Sequence, residues 1–102
     1  MFGMDIMKQV QQMQEKMARL QNELAGKTLT GASGGGMVTV TCNGKQEILS
    51  ISIDKELVAD GDVTMIEDLV LTAVNDALAK SRELMGEEMR AVTGGISIPG
   101  LS

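Results

Sequence analysis

Apolar residues recur near the start of the chain at Ile6, Val10, Met13, Met17, Leu20 and Leu24, with spacings of 4, 3, 4, 3 and 4. That period keeps one stripe on one side of a helix and makes a heptad seam over nearly three repeats. It predicts a helix over residues 5–25, with Lys8, Gln12, Glu15 and Arg19 on the face away from the seam. Glu15 and Arg19 are spaced i, i+4 in the order that favours an ion pair. Gly26 is the stop signal. A seam of this kind needs something to pack against.

The period then falls to two. Val38, Val40 and Cys42 alternate with Thr39 and Thr41, which predicts a strand. Asn43-Gly44 reads as a type I′ hairpin turn, since both of its central positions take positive φ. The return strand, residues 47–54, sets Leu49, Ile51 and Ile53 on one face and Ser50 and Ser52 on the other, with Val40 and Ile51 both facing inward. The Thr-rich residues 27–32 are expected as a third strand, and Ser33-Gly34-Gly35-Gly36 as the bend between strands. Residues 54–57 start a short turn. Thr64 followed by Glu67 is a capping box, so a second long helix is expected over residues 64–92. Its apolar stripe is Ile66, Val70, Ala73, Val74, Ala77, Ser81 and Leu84; beyond Gly86, Glu88 falls on that face and the last turns leave the core. Residues 94–102, with three Gly and Pro99, read as a mobile end.

The predicted architecture is α+β: helix, three-stranded antiparallel sheet, helix, in one domain over residues 1–102, with residues 1–4 and 94–102 as flexible ends. The second helix would be roughly 42 Å long. A compact domain of this size is only about 35 Å across. Two such helices do not fit inside it. The excess length and the seam point to a homodimer with protruding helical arms, its contact running through Val10, Met13, Met17 and Leu20.

Composition removes most chemistry. The 102 residues contain no His, Trp or Tyr, one Phe and one cysteine, Cys42. A zinc site needs several Cys or His ligands. A histidine base or Cys-His pair cannot be built. No metal site, cofactor or enzymatic activity is therefore expected. Cys42, alternating with valines, reads as a buried structural thiol. No apolar run approaches a membrane span, and the start of the chain lacks the pattern of a signal peptide. A cytoplasmic protein is expected.

Three motifs favour bland readings. Gly26-Lys27-Thr28 has the ending of a phosphate-binding loop, but position 21 is Gln where that loop needs Gly, and a helix precedes it where a strand is required. The Gly34–Gly36 run is a flexible bend more often than a phosphate cradle. Asp54, Glu56, Asp60 and Asp62 lack the spacing of a calcium loop. The basic residues Lys8, Lys16, Arg19, Lys27, Lys80, Arg82 and Arg90 would be ordinary surface charges on chemistry alone. The formal net charge of −5 opposes nucleic-acid binding.

A longer pattern changes that balance. The helix opening, residues 7–17 (MKQVQQMQEKM), resembles that of the YbaB/EbfC family. Residues 33–44 (SGGGMVTVTCNG) resemble its Gly-rich bend and hairpin. Residues 51–54, 67–70 and 75–77, and the Gly94-Gly95 to Pro99-Gly100-Leu101 end, resemble its last strand, second helix and tail. Lys55 stands where many relatives have Pro, and the Gly-rich N-terminal lead is shorter. The resemblance implies a bacterial nucleoid-associated protein: a tweezer-shaped homodimer whose arms flank duplex DNA, with little or variable sequence preference, organising the nucleoid or regulating genes, and no catalysis. The seven basic residues named above are the candidate DNA contacts. The competing reading is a protein-interaction or chaperone-like module, in which the Met-rich arms hold another protein.

Overall fold

A computed structural model describes residues 2–92. The elements run α1 (Phe2–Gly26), β1 (Thr28–Ser33), a 3₁₀ turn (Gly34–Gly36), β2 (Val38–Asn43), β3 (Ile48–Ile53), α2 (Lys55–Ala59) and α3 (Val63–Val92). The sheet is antiparallel in the order β1-β2-β3. The predicted helix–sheet–helix order is the observed one, and the Gly-rich bend turns on positive φ at Gly34, Gly35 and Gly36. Residues 2–4, expected in a flexible end, belong to α1; residues 94–102 lie outside the described residues.

The core lies between α3 and the sheet, where Val38, Val40, Cys42, Leu57, Ala73 and Ala77 are buried together. Small residues set the spacing between these layers. A Cβ on Gly31 would overlap the backbone at Ala73 O and Ala77 N and stand 2.9 Å from Ala77 Cα. Gly31 on β1 and the Ala73/Ala77 pair, one turn apart on α3, thus let two backbones meet. Cys42 Sγ donates to Ala77 O at 3.4 Å, and burial raises its thiol pKa. Val40 has no exposed surface. Val40→Asp would bury an unpaired carboxylate, a cost of several kcal/mol against the about 5–15 that hold a domain together. The variant should show an unfolded far-ultraviolet circular dichroism spectrum at 25 °C; a native spectrum would contradict this packing.

Ile51 departs from expectation. It pairs with Val40 and shares the sheet face of the core, yet it is 49 % exposed. The reason is coverage: α3 lies over β1 and β2 and stops short of β3. The strand also carries a bulge, so Ile48 rather than Leu49 pairs with Cys42, and the predicted Leu49-Ile51-Ile53 alternation is broken.

The β2–β3 hairpin is a second departure. Gly44 does not have positive φ; the left-handed residue is Gln46, at φ 64°. Gln46 N donates to Asn43 O at 3.2 Å and Asn43 N to Glu47 O at 3.0 Å, which closes a three-residue loop instead of a type I′ turn. The Asn43 carboxamide oxygen accepts from Lys45 N and Glu47 N, holding the loop from within. Ser81, completely buried in the apolar stripe, donates to Asn43 O and accepts from Gln46 N. Gly44 matters through a long-range contact. Its N–H donates to Leu24 O at 2.8 Å, and an added Cβ would stand 2.8 Å from that same oxygen. Even Gly44→Ala should therefore lower stability by about 1–3 kcal/mol, with Gly44→Val at the upper end. An unchanged urea midpoint for both variants would contradict the contact.

The α3 cap also differs. Asp62, not Thr64, is the N-cap: Met65 N donates to Asp62 Oδ1 at 3.0 Å, and the helix starts at Val63. Asp is a stronger cap than Thr and stands two residues earlier.

The chain is long: its extents are 71 × 25 × 17 Å and its radius of gyration is 19.3 Å, against about 13 Å for a compact domain of this size. The length comes from α1. Leu20 and Leu24 are buried and anchor its last turns, while residues 3–16 are exposed throughout. The α3 helix is an arm only at its end.

Candidate nucleic-acid interface

The heptad seam changes character along α1. Leu24 and Leu20 pack within the chain, Met17 is half-buried, and Met13, Val10 and Ile6 stand in solvent. Of the four residues expected at a dimer contact, Leu20 is thus already covered by its own chain. Lys8 and Arg19 lie across the helix from the seam and are exposed, as is Lys16 on its flank. No ion pair forms between Glu15 and Arg19 among the described residues. Lys8, Lys16, Arg19 and, on α3, Arg82 have no carboxylate partner among the described residues. Arg90 is exposed in the last turn of α3.

The other two candidate cations are engaged. Lys27 Nζ reaches Glu88 Oε1 at 2.6 Å, joining the foot of α1 to the far part of α3; this hydrogen bond raises the ammonium pKa above its ordinary 10.5. Lys80 Nζ donates to Thr30 O at 2.8 Å and lies 3.3 Å from Asp76 Oδ2, the i, i+4 pair. The same Asp76 oxygen accepts from Ala32 N at 3.1 Å. Together, Asp76 and Lys80 satisfy an N–H and a C=O on the outer edge of β1, which blunts that edge against further strand pairing. These roles link residues 61, 50 and 44 positions apart, and local patterning does not reveal them.

The Asp76 carboxyl is held below its ordinary 3.8, first by the Ala32 N–H and then by Lys80. A depressed folded pKa gives stability that is complete above the unfolded value and lost as pH falls through the folded one. The stability advantage of wild type over Asp76→Asn should therefore be complete at about pH 5 and shrink as pH falls through 3.8 toward the lower folded value. A constant difference across that range would separate the edge contact from the carboxylate's charge.

The net charge is unevenly placed. Residues 54–68 hold six acidic residues and one basic residue, the whole of the −5; the remainder has eight of each sign. This acidic segment comprises α2 and the start of α3, at the opposite end of α3 from the foot of α1. Glu67 and Glu88 are separated by roughly 31 Å of helix, several Debye lengths at physiological salt. The arm's cations are therefore screened from most of the opposing charge.

Residues 1–96 match the YbaB/EbfC DNA-binding family. The chain belongs to that family. Relatives named nucleoid-associated proteins include one from Syntrophobacter fumaroxidans, 50 % identical over 99 residues, covering 97 % of this chain and 90 % of that one. One from Desulforamulus reducens is 53 % identical over 96 residues, covering 94 % and 91 %. The crystal structure of uncharacterized protein HP0035 from Helicobacter pylori superposes with a TM-score of 0.80 at 25 % identity, covering 87 % of this chain and 94 % of that one. In this YbaB/EbfC chain, then, the exposed cations of α1 are the foremost candidates for DNA contact. No described helix is long and apolar enough to cross a membrane.

Proposed function

We propose that the chain binds duplex DNA as a homodimer in the cytoplasm, at the nucleoid, with little or variable sequence preference, and there organises DNA or regulates genes. The match to a DNA-binding family carries this reading. The geometry supports it through Lys8, Lys16 and Arg19, which stand in solvent on a projecting helix, away from the acidic end. Contacts from such side chains go to phosphate, which carries no sequence information directly. With so few cations, affinity falls in the non-specific range of about 10⁻⁴ to 10⁻⁶ M at physiological salt.

The dimer contact lies at β3. One edge of the sheet, β1, is blunted by Asp76 and Lys80, whereas the β3 edge has no side-chain cap among the described residues. Ile48 and Ile51 beside it are open to solvent. A second copy covers these residues. Sedimentation at micromolar concentration tests the pairing: wild type should run at twice 10.8 kDa and Ile51→Asp as a single chain. A monomeric wild type would refute the dimer. DNA binding is tested separately, by a titration with duplex DNA at several salt concentrations.

A further inference from the structure

A projecting helix needs two supports to hold one direction. At the foot of α1, Leu24 is buried and its carbonyl accepts from Gly44 N at 2.8 Å, which fixes the helix to the β2–β3 hairpin. Lys27 stands at the same junction, its own carbonyl accepting from Gly44 N at 3.1 Å. One anchored point leaves a rod free to tilt. The next support outward is the end of α3, where Ala91 and Val92 face Lys16 and Arg19 beside buried Leu20. The last buried residue of α3 is Ser81, so residues 88–92 lie beyond the core.

One polar bond ties this end of α3 to the foot of α1: Lys27 Nζ meets Glu88 Oε1 at 2.6 Å. Glu23, one turn before Lys27, is the alternative carboxylate, but it rides on α1 itself, and a bond to it would tie the arm to nothing. The arm is a lever. Lys8 lies about 24 Å along the helix from Leu24. A tilt of about 10° at the foot moves it through about 4 Å, more than a charge-assisted hydrogen bond spans. An exposed pair adds little to global stability. Its effect is on where Lys8, Lys16 and Arg19 stand.

We propose that the Lys27–Glu88 pair is a brace that locks the end of α3 against α1 and sets the angle of the arm, which makes both side chains positioning residues for DNA and not contacts. This deepens the DNA-binding reading and, for its effect on affinity, rests on it.

Glu88→Gln tests the brace, because charge and position predict opposite signs. Removing a carboxylate raises the attraction of a surface for phosphate, so on charge alone the variant binds duplex DNA more tightly than wild type. Loss of the brace weakens binding, by at least about threefold at about 0.1 M salt, a share of one phosphate contact. The charge swap Lys27→Glu with Glu88→Lys should recover most of that loss, and Lys27→Glu alone should not. The arm itself is read without DNA. Nitroxides on Gln12→Cys and Ser52→Cys, both exposed sites, report the arm-to-sheet distance in chains diluted with unlabelled protein, while buried Cys42 stays unlabelled. One narrow distance distribution is expected for wild type and for the swap, and a broadened or shifted one for Glu88→Gln. An unchanged distribution in Glu88→Gln would overturn the proposal, as would equal or tighter duplex binding by that variant. Absence of duplex binding by wild type would refute the DNA-binding reading and with it the positioning role, whatever the distances show.

Discussion

Gly31→Ala should detach α3 from β1. The added methyl meets backbone on both sides, Ala73 O and Ala77 N with Ala77 Cα, so no side-chain rotation relieves the overlap. The helix must lift or the strand must bend. Either movement opens the core around Val40 and Cys42 and strains the edge contacts of Asp76 and Lys80, which rely on the same approach. Overpacking against flexible neighbours costs about 1–3 kcal/mol. Against the backbone of a helix, the upper end or beyond is expected, a large share of the about 5–15 kcal/mol available. The urea midpoint should fall by at least about 1 M. A midpoint equal to wild type would mean that α3 and β1 are not in backbone contact.

Lys8→Ala with Arg19→Ala should leave fold and oligomeric state intact and remove most duplex binding. Both side chains stand in solvent opposite the seam, without a carboxylate partner. Each lost phosphate contact flattens the slope of log K against log salt by about 0.9, hence by about two per chain for the pair. At about 0.1 M salt this corresponds to at least about tenfold weaker binding. The loss should be equal for unrelated duplex sequences, because phosphate contacts position without reading bases. Lys80→Ala should behave differently. Its ammonium is held by Thr30 O and Asp76, so the change reduces stability more than DNA affinity. If the arm instead holds another protein through its methionines, Met4→Ser with Met7→Ser should abolish function and the charge changes should do little.

Both helices, the strands and the glycine bend were legible because each rests on neighbours in sequence: the seam from Ile6 to Leu24, the Val38-Val40-Cys42 alternation, the run at Gly34. Features that depend on residues meeting across the fold were not. Gly44 looked like a turn residue because Asn-Gly is a turn pair, whereas its requirement comes from Leu24, twenty residues earlier. Ile51 lay on the expected face, but how far α3 reaches across the sheet is a tertiary fact. In the sequence Lys8 and Arg19 already stand opposite the seam, and Asp76 and Lys80 already have the i, i+4 spacing of an ion pair; what the structure adds is that Glu88 engages Lys27 and that Thr30 O also holds Lys80. Likewise, the −5 charge weighs against DNA binding as a total and much less once it is placed at the far end of α3.

The most direct test of the central claim is fluorescence anisotropy of wild-type protein with two unrelated duplexes, from about 50 to about 200 mM salt. Similar affinities for both duplexes, falling steeply with salt and less steeply for Lys8→Ala with Arg19→Ala, are the predicted result. Absence of duplex binding at about 50 mM salt, where electrostatic attraction is strong, would contradict the account.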